Sequence, residues 1–149
     1  MKTFSHSFDL DLGPSEAFPL FTPKGEELWV PDWRPEYIEP QSGETVAGMV
    51  FRTGDGEEST IWTCLEYDPR ARHARYLRVT PASRVAWVDV ACAPHGGGGT
   101  TVQVSYSFVP LTASGDTYVS NMSDASFATM IGDWKGLIER SLPAAQARQ

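Results

Sequence analysis

Between Gly43 and Thr112 the chain is written almost entirely in strand-length segments, and only one segment outside that stretch is long enough to cover the sheet they would form. Turn signals at Gly54-Asp55-Gly56, Asp68-Pro69, Pro81-Ala82-Ser83 and Gly96 to Gly99 divide the stretch into about five strands, each joined to the next by a hairpin. The last, Thr101 to Val109, sets Val102, Val104, Tyr106 and Phe108 against Thr101, Gln103, Ser105 and Ser107, so one face is dry and the other wet. Near the start, Phe4, His6, Phe8, Leu10 and Leu12 alternate with Thr3, Ser5, Ser7, Asp9 and Asp11 and read as a further half-buried strand. A sheet with one dry face must bury it on another layer. After Leu111 the composition changes: Asp116 is placed to cap a helix that runs to about Leu142, where Pro143 stops it. Along it Met122, Ser126, Met130, Trp134 and Leu137 or Ile138 recur at helical spacing, joined by Phe127, Ile131 and Leu142. Gly132 and Gly136 each cost that helix about 1 kcal/mol relative to alanine, which marks either a close approach of another element or simple tolerance in a well-packed helix.

Between the first strand and the strand-rich stretch lie two short helices. Pro14-Ser15-Glu16-Ala17-Phe18 opens one with proline in its first turn, where the missing N–H is harmless. Thr22-Pro23 starts the next, through Glu26, Glu27, Leu28 and Trp29. Pro31, Pro35 and Pro40 then make Val30 to Pro40 an extended loop, whose Trp33 and Tyr37 need something to pack on. The expectation is an α+β chain: a curved antiparallel sheet of about six strands wrapped around a long C-terminal α-helix, with two short helices after the first strand. Residues 1–142 are expected to form one domain and residues 143–149 a flexible tail. A chain of 149 residues buries roughly 70% of its unfolded surface, enough for a core without staples.

Charge and composition narrow the function. A net charge of −7 and a pI near 4.8 argue against a nucleic-acid surface, which needs clustered positive charge. The apolar runs fall far short of the roughly 20 residues that cross a bilayer. Cys64 and Cys92 show no C-x-x-C spacing, and MKTFSHSFDL alternates instead of forming the apolar stretch of a secretory leader, so the expected setting is cytoplasmic with free thiols. His6, His73 and His95 are scattered without zinc-ligand spacing, and no G-x-S-x-G or G-x-G-x-x-G is present; no metal and no cofactor are expected. A homo-oligomer stays open.

The order of elements, together with Phe21-Thr22-Pro23-Lys24-Gly25-Glu26-Glu27-Leu28-Trp29-Val30-Pro31-Asp32-Trp33 and Tyr76-Leu77-Arg78-Val79-Thr80-Pro81, resembles the START-like or SRPBCC superfamily, a bacterial branch of it. Those helix-grip proteins include Bet v 1-type carriers and polyketide cyclases. The resemblance covers Thr3 to about Leu142. It implies a cavity between sheet and long helix, entered near the short helices, that takes a small hydrophobic ligand. Gly54 to Thr60 stands where Bet v 1-type carriers have a glycine-rich loop, but it lacks the lysine and spacing of a phosphate-binding loop and reads as a hairpin turn at the entrance.

Within such a cavity the expected walls are Phe8, Trp33, Phe51, Trp62, Tyr76, Tyr106, Met130 and Trp134, with His6 and Arg78 as polar anchors. Arg70, Arg72, Arg75, Arg78 and Arg84 crowd one stretch, and a solvated strand face accounts for most of them. The orientation of Arg78 is open, because its neighbours Leu77 and Val79 are apolar too. An inward guanidinium needs a counter-charge, either Glu66 or a ligand carboxylate or phosphate. Three functions follow: a carrier of a small hydrophobic or amphipathic molecule; a cyclase or dehydratase with His6, Glu66 and Tyr106 as its acids and bases; or an interaction module that docks a partner through the aromatic loop Trp29 to Tyr37.

Overall fold

The alternation that marks the strands also decides how they stack. In a computed structural model, which describes residues 1–147 and the side chains of residues 1–142, the strands are β1 (Lys2–Leu10), β2 (Glu36–Glu39), β3 (Val50–Thr53), β4 (Thr60–Asp68), β5 (His73–Thr80), β6 (Arg84–His95) and β7 (Gly99–Pro110). They form one antiparallel sheet in the order β1-β7-β6-β5-β4-β3-β2. The helices are α1 (Pro14–Ala17), α2 (Pro23–Glu26), α3 (Ala113–Asn121) and α4 (Asp124–Ala147), with a 3-10 turn at Phe18–Phe21 linking the first two. This is the α+β helix-grip arrangement expected from the sequence.

Each strand contributes one row to the interior. Phe4, Phe8 and Leu10 of β1 are buried, as are Val102, Val104, Tyr106 and Phe108 of β7, Ala86, Val88, Val90 and Cys92 of β6, and Ala74 and Tyr76 of β5. On the opposite face, Thr3 and Ser107 share a hydrogen bond of 2.9 Å and Ser5 and Ser105 one of 2.7 Å, cross-strand hydroxyl pairs that solvent also reaches. Over the inner face lies α4, packed on β1 with Phe127, Ile131 and Ile138 fully buried.

Three expectations need correction. The sheet has seven strands, because β2 forms inside the proline-rich segment read as loop. It fits exactly four residues between Pro35 and Pro40 and pairs only with β3, so neither proline has to donate to a ladder. The C-terminal helix is two helices. Thr112, rather than Asp116, caps α3 by accepting the Gly115 N–H at 3.1 Å, and the chain turns extended at Met122. Ser123 and Ser126 then cap each other: the Ser126 N–H donates to Ser123 Oγ at 3.1 Å, and the Ser123 N–H donates to Ser126 Oγ at 2.9 Å. That reciprocal capping wins over an apolar spacing that runs unbroken across the joint. Finally, α4 continues through Pro143 to Ala147; the proline deletes one N–H from the ladder without ending it. Residues 148 and 149 of the expected tail lie outside the described residues.

Of the glycines, Gly132 has nothing within 4 Å of where a Cβ would sit and Gly136 meets only the mobile end of Arg140, so tolerance, not close packing, accounts for both. Gly25 is different. A Cβ there would lie 1.9 Å from the Pro19 carbonyl oxygen, so α2 sits backbone on backbone against the 3-10 turn, and only glycine permits that.

Candidate functional site

That close approach sets the position of Glu26. Thr22 caps α2 by accepting the Gly25 N–H at 3.0 Å while its own hydroxyl donates to Pro19 O at 2.7 Å. The indole of Trp29 donates to Leu20 O at 2.8 Å and that of Trp33 to Pro23 O at 2.9 Å. Both ends of the short helix are thereby tied down, and Glu26 is carried over the inner face of the sheet, where it lines the space between α2, α4 and strands β3 to β7.

The parity of Arg78 follows from its row. Ala74, Tyr76 and Thr80 of β5 are buried, and Arg78 stands between the last two on the same face. It faces Trp62 across β4 and Ala86 across β6; the alanine leaves room for the long side chain, whose guanidinium carbon lies 4.5 Å from the centroid of the Trp62 ring. Such a cation over an indole is held by the negative face of the ring. Glu66 does not join it. A bulge in β4 between Cys64 and Glu66 shifts the register, so Cys64 turns in and Glu66 turns out, 60% exposed and 3.6 Å from the His73 ring. Of the alternatives the sequence leaves open for an inward Arg78, pairing with Glu66 is excluded by one extra residue in the strand, and the same bulge takes Glu66, a candidate acid or base, out of the interior.

Two adjoining spaces result. An inner cavity of about 20 Å³ is walled by Phe21, Pro23, Glu26, Phe51, Trp62, Tyr76, Val88, Val90, Tyr106 and Trp134, room for about one water molecule. Outside it opens a groove of about 300 Å³ lined by Glu26, Val30, Asp32, Trp33, Thr53, Gly54, Trp62, Arg78, Tyr106 and Trp134, at the lower end of the range for small-molecule sites. Glu26, Trp62, Tyr106 and Trp134 belong to both. The interior is thus nearly filled by aromatic rings, and usable space lies at its mouth.

The electrostatics of the mouth are unusual. Glu26 is half-buried as a residue, yet the surrounding rings strip bulk solvent from its carboxyl. That burial pushes it up from 4.5 to about 8, with Arg78 pulling the other way. Glu26 and Arg78 form no ion pair within 4.0 Å. Burial also raises the Tyr106 hydroxyl to about 12, opposed by Arg78 and reinforced by Glu26. Tyr76 is likewise pushed up by burial, and its hydroxyl donates to Phe21 O at 3.2 Å.

Of the residues expected to line a cavity, Trp33, Phe51, Trp62, Tyr76, Arg78, Tyr106 and Trp134 line one or both spaces. His6, Phe8 and Met130 line neither. His6 is half-buried on the inner row of β1 opposite Val104, Phe8 packs edge-on against Phe21 in the core, and Met130 flanks the core. Glu26 was missed. An acid in the first turns of a helix reads as a solvated partner of the helix dipole, and no local pattern marks it otherwise. In the arginine-rich stretch a second side chain also turns in: Arg84 is 4% exposed, bonds Glu58 at 3.2 and 3.3 Å, and lies 3.6 Å from the Tyr118 ring centroid. It ties the 56–58 turn to α3. Cys64 and Cys92 are buried free thiols, pushed up by burial to about 11 and about 12. No helix among the described residues is long and apolar enough to cross a membrane.

No family model and no curated protein matches the sequence. Solved structures do match in shape. Norcoclaurine synthase from Thalictrum flavum, in complex with dopamine and hydroxybenzaldehyde, is 12% identical with a TM-score of 0.65 over 93% of this chain and 87% of that one. The di-domain ARO/CYC BexL from the BE-7585A biosynthetic pathway is 16% identical with a TM-score of 0.68 over 93% of this chain and 47% of that one. Ara h 8.0201 is 17% identical with a TM-score of 0.65 over 95% and 98%. At these identities the likeness is one of fold alone: the chain has the Bet v 1-like, helix-grip architecture.

Proposed function

We propose that the protein binds a small planar amphipathic molecule in the groove between α2, α4 and the inner face of the sheet. The observation that carries this reading is Arg78. A guanidinium on an inner sheet row, laid on Trp62 and without an ion pair to Glu26, costs more to keep there than an apolar residue; a ligand group that meets it repays that cost. Trp33, Trp62, Tyr106 and Trp134 supply flat apolar walls for the rest of the molecule. The nearly filled interior, with an inner cavity of only about 20 Å³, argues for a ligand seated at the mouth and not for a long acyl chain drawn into the core. A shape relative that holds dopamine and hydroxybenzaldehyde is in keeping with that scale.

A catalytic reading has one observation in its favour: Glu26, held up to about 8, is a carboxylic acid able to give or take a proton near neutral pH, and it shares the groove with Tyr106. The docking-module reading loses ground, since Trp33 packs edge-on against Phe51 and Trp62 and Tyr37 donates to Glu27.

The binding reading is checked by calorimetric titration with 2-naphthoate. One-site saturation is expected, weakened about tenfold or more by Trp33→Ala, as for loss of an aromatic anchor, and unchanged by Trp87→Ala on the outer face. No saturable heat, or equal losses in both variants, contradicts it.

A further inference from the structure

We infer that the groove is selective for a planar aromatic acid bound as its anion, gripped by Arg78 stacked on Trp62 and hydrogen-bonded by Glu26 in the same lining, so that these two residues decide ligand class. This rests on the proposed binding groove and adds to it the charge of the ligand.

The argument begins with what surrounds the two polar groups. The titratable groups around Glu26 are Arg78 and Tyr76 from β5, Tyr106 from β7, Tyr37 from β2 and Asp32 from the loop after α2. The other elements that close on it present Phe51, Trp62 and Trp134, none of which titrates. Lys24 of α2 and Glu27 at its C-terminal end are occupied with each other at 3.6 Å. Asp32 is exposed at the rim, where water and salt screen it. Among the described residues Arg78 is thus the one cation lining the groove, and none of their carboxylates closes on it within 4.0 Å.

Two ionised groups of opposite sign in an apolar mouth would be expected to collapse into a pair. These do not, and the aromatic walls around Glu26 favour its neutral form, pushing it up to about 8. With Glu26 neutral, Arg78 is the positive charge of the groove, Asp32 lies at its rim, and the same lining offers a carboxylic O–H as donor. A ligand carboxylate meets both requirements at once, accepting from the guanidinium and from the Glu26 hydroxyl. A neutral ligand leaves the guanidinium uncompensated, and a cation is repelled by it. The negative charge of the whole protein slows approach of an anion but is screened at physiological salt.

A proton balance follows. Below pH 8 the anion binds to a Glu26 that already holds its proton. Above it, binding draws one proton from solvent onto the Glu26 carboxylate, so affinity falls as pH rises, by about tenfold per unit.

The test compares 2-naphthoate with its neutral isostere 2-naphthamide by calorimetry between pH 6.5 and 9.5. The expected result has four parts. Naphthoate binds at least tenfold tighter than the amide at pH 6.5, Arg78→Gln removes that preference, the naphthoate affinity declines above pH 8, and Glu26→Gln abolishes the decline. Equal binding of amide and acid by the wild type overturns the inference and leaves the groove as a ligand site. An acid preference with no pH decline overturns the role of Glu26. Binding of neither compound overturns the proposed function itself.

Discussion

Glu26→Gln is expected to make the protein more stable at pH 9 by on the order of 3 kcal/mol while leaving it nearly unchanged at pH 4. The carboxyl rises from its ordinary 4.5 to about 8 on folding. Its neutral form is the one the fold accepts, so wild-type stability is full below about pH 4.5 and declines as pH climbs to about 8. At about 1.4 kcal/mol per unit the shift bounds the loss near 5 kcal/mol, and partial exposure of Glu26 to the groove reduces it. Glutamine keeps the shape and cannot ionise, so the decline disappears. Urea denaturation of both proteins across the pH range reads the difference directly. Equal stability at every pH, or a variant less stable at pH 9, would show that Glu26 is solvated or paired in the fold. A residue whose replacement stabilises is one kept for something other than stability.

Phe127→Ala is expected to cost about 3–5 kcal/mol, a large share of the stability of an ordinary domain. The ring is fully buried, stacks on Phe4 at 5.6 Å and meets Tyr106 edge-on at 5.4 Å. It is the point at which α4 is keyed into both β1 and β7. Deleting it leaves a cavity under the helix that closes the groove, so ligand affinity should fall with stability. By contrast Met130→Ala, one turn along and only partly buried, should cost less than half as much. Similar losses in the two variants would mean that α4 does not sit on Phe127 as described.

Much of the fold was legible because its signals are periodic. The alternation in β1 and β7 and the stripe on α4 each repeat often enough to outvote local exceptions. What escaped notice was aperiodic. One residue of bulge in β4 turned Glu66 from the inner face to the outer. The four residues of β2 sit between prolines that hide an edge strand. The Ser123–Ser126 capping pair cut a helix whose apolar spacing does not falter. The site shows the same division. Phe51, Trp62, Tyr76 and Tyr106 are readable as inward rows of strands and Trp134 as part of the helical stripe. Glu26, which shares the groove with Arg78, is far from it in sequence, on a short helix whose placement depends on Gly25 meeting Pro19 backbone to backbone, and no spacing rule reaches that far.

The central claim is that a ligand occupies the groove and not the core or the outer face. The indole N–H signals of the five tryptophans report on all three places in one proton–nitrogen correlation spectrum, recorded with and without saturating 2-naphthoate. Trp33, Trp62 and Trp134 line the groove, Trp29 is buried beside it, and Trp87 lies on the outer face opposite Leu77. Large shifts in Trp33, Trp62 and Trp134, with Trp87 fixed, are the expected result. A spectrum in which Trp87 moves while those three stay put, or in which none moves, contradicts the account.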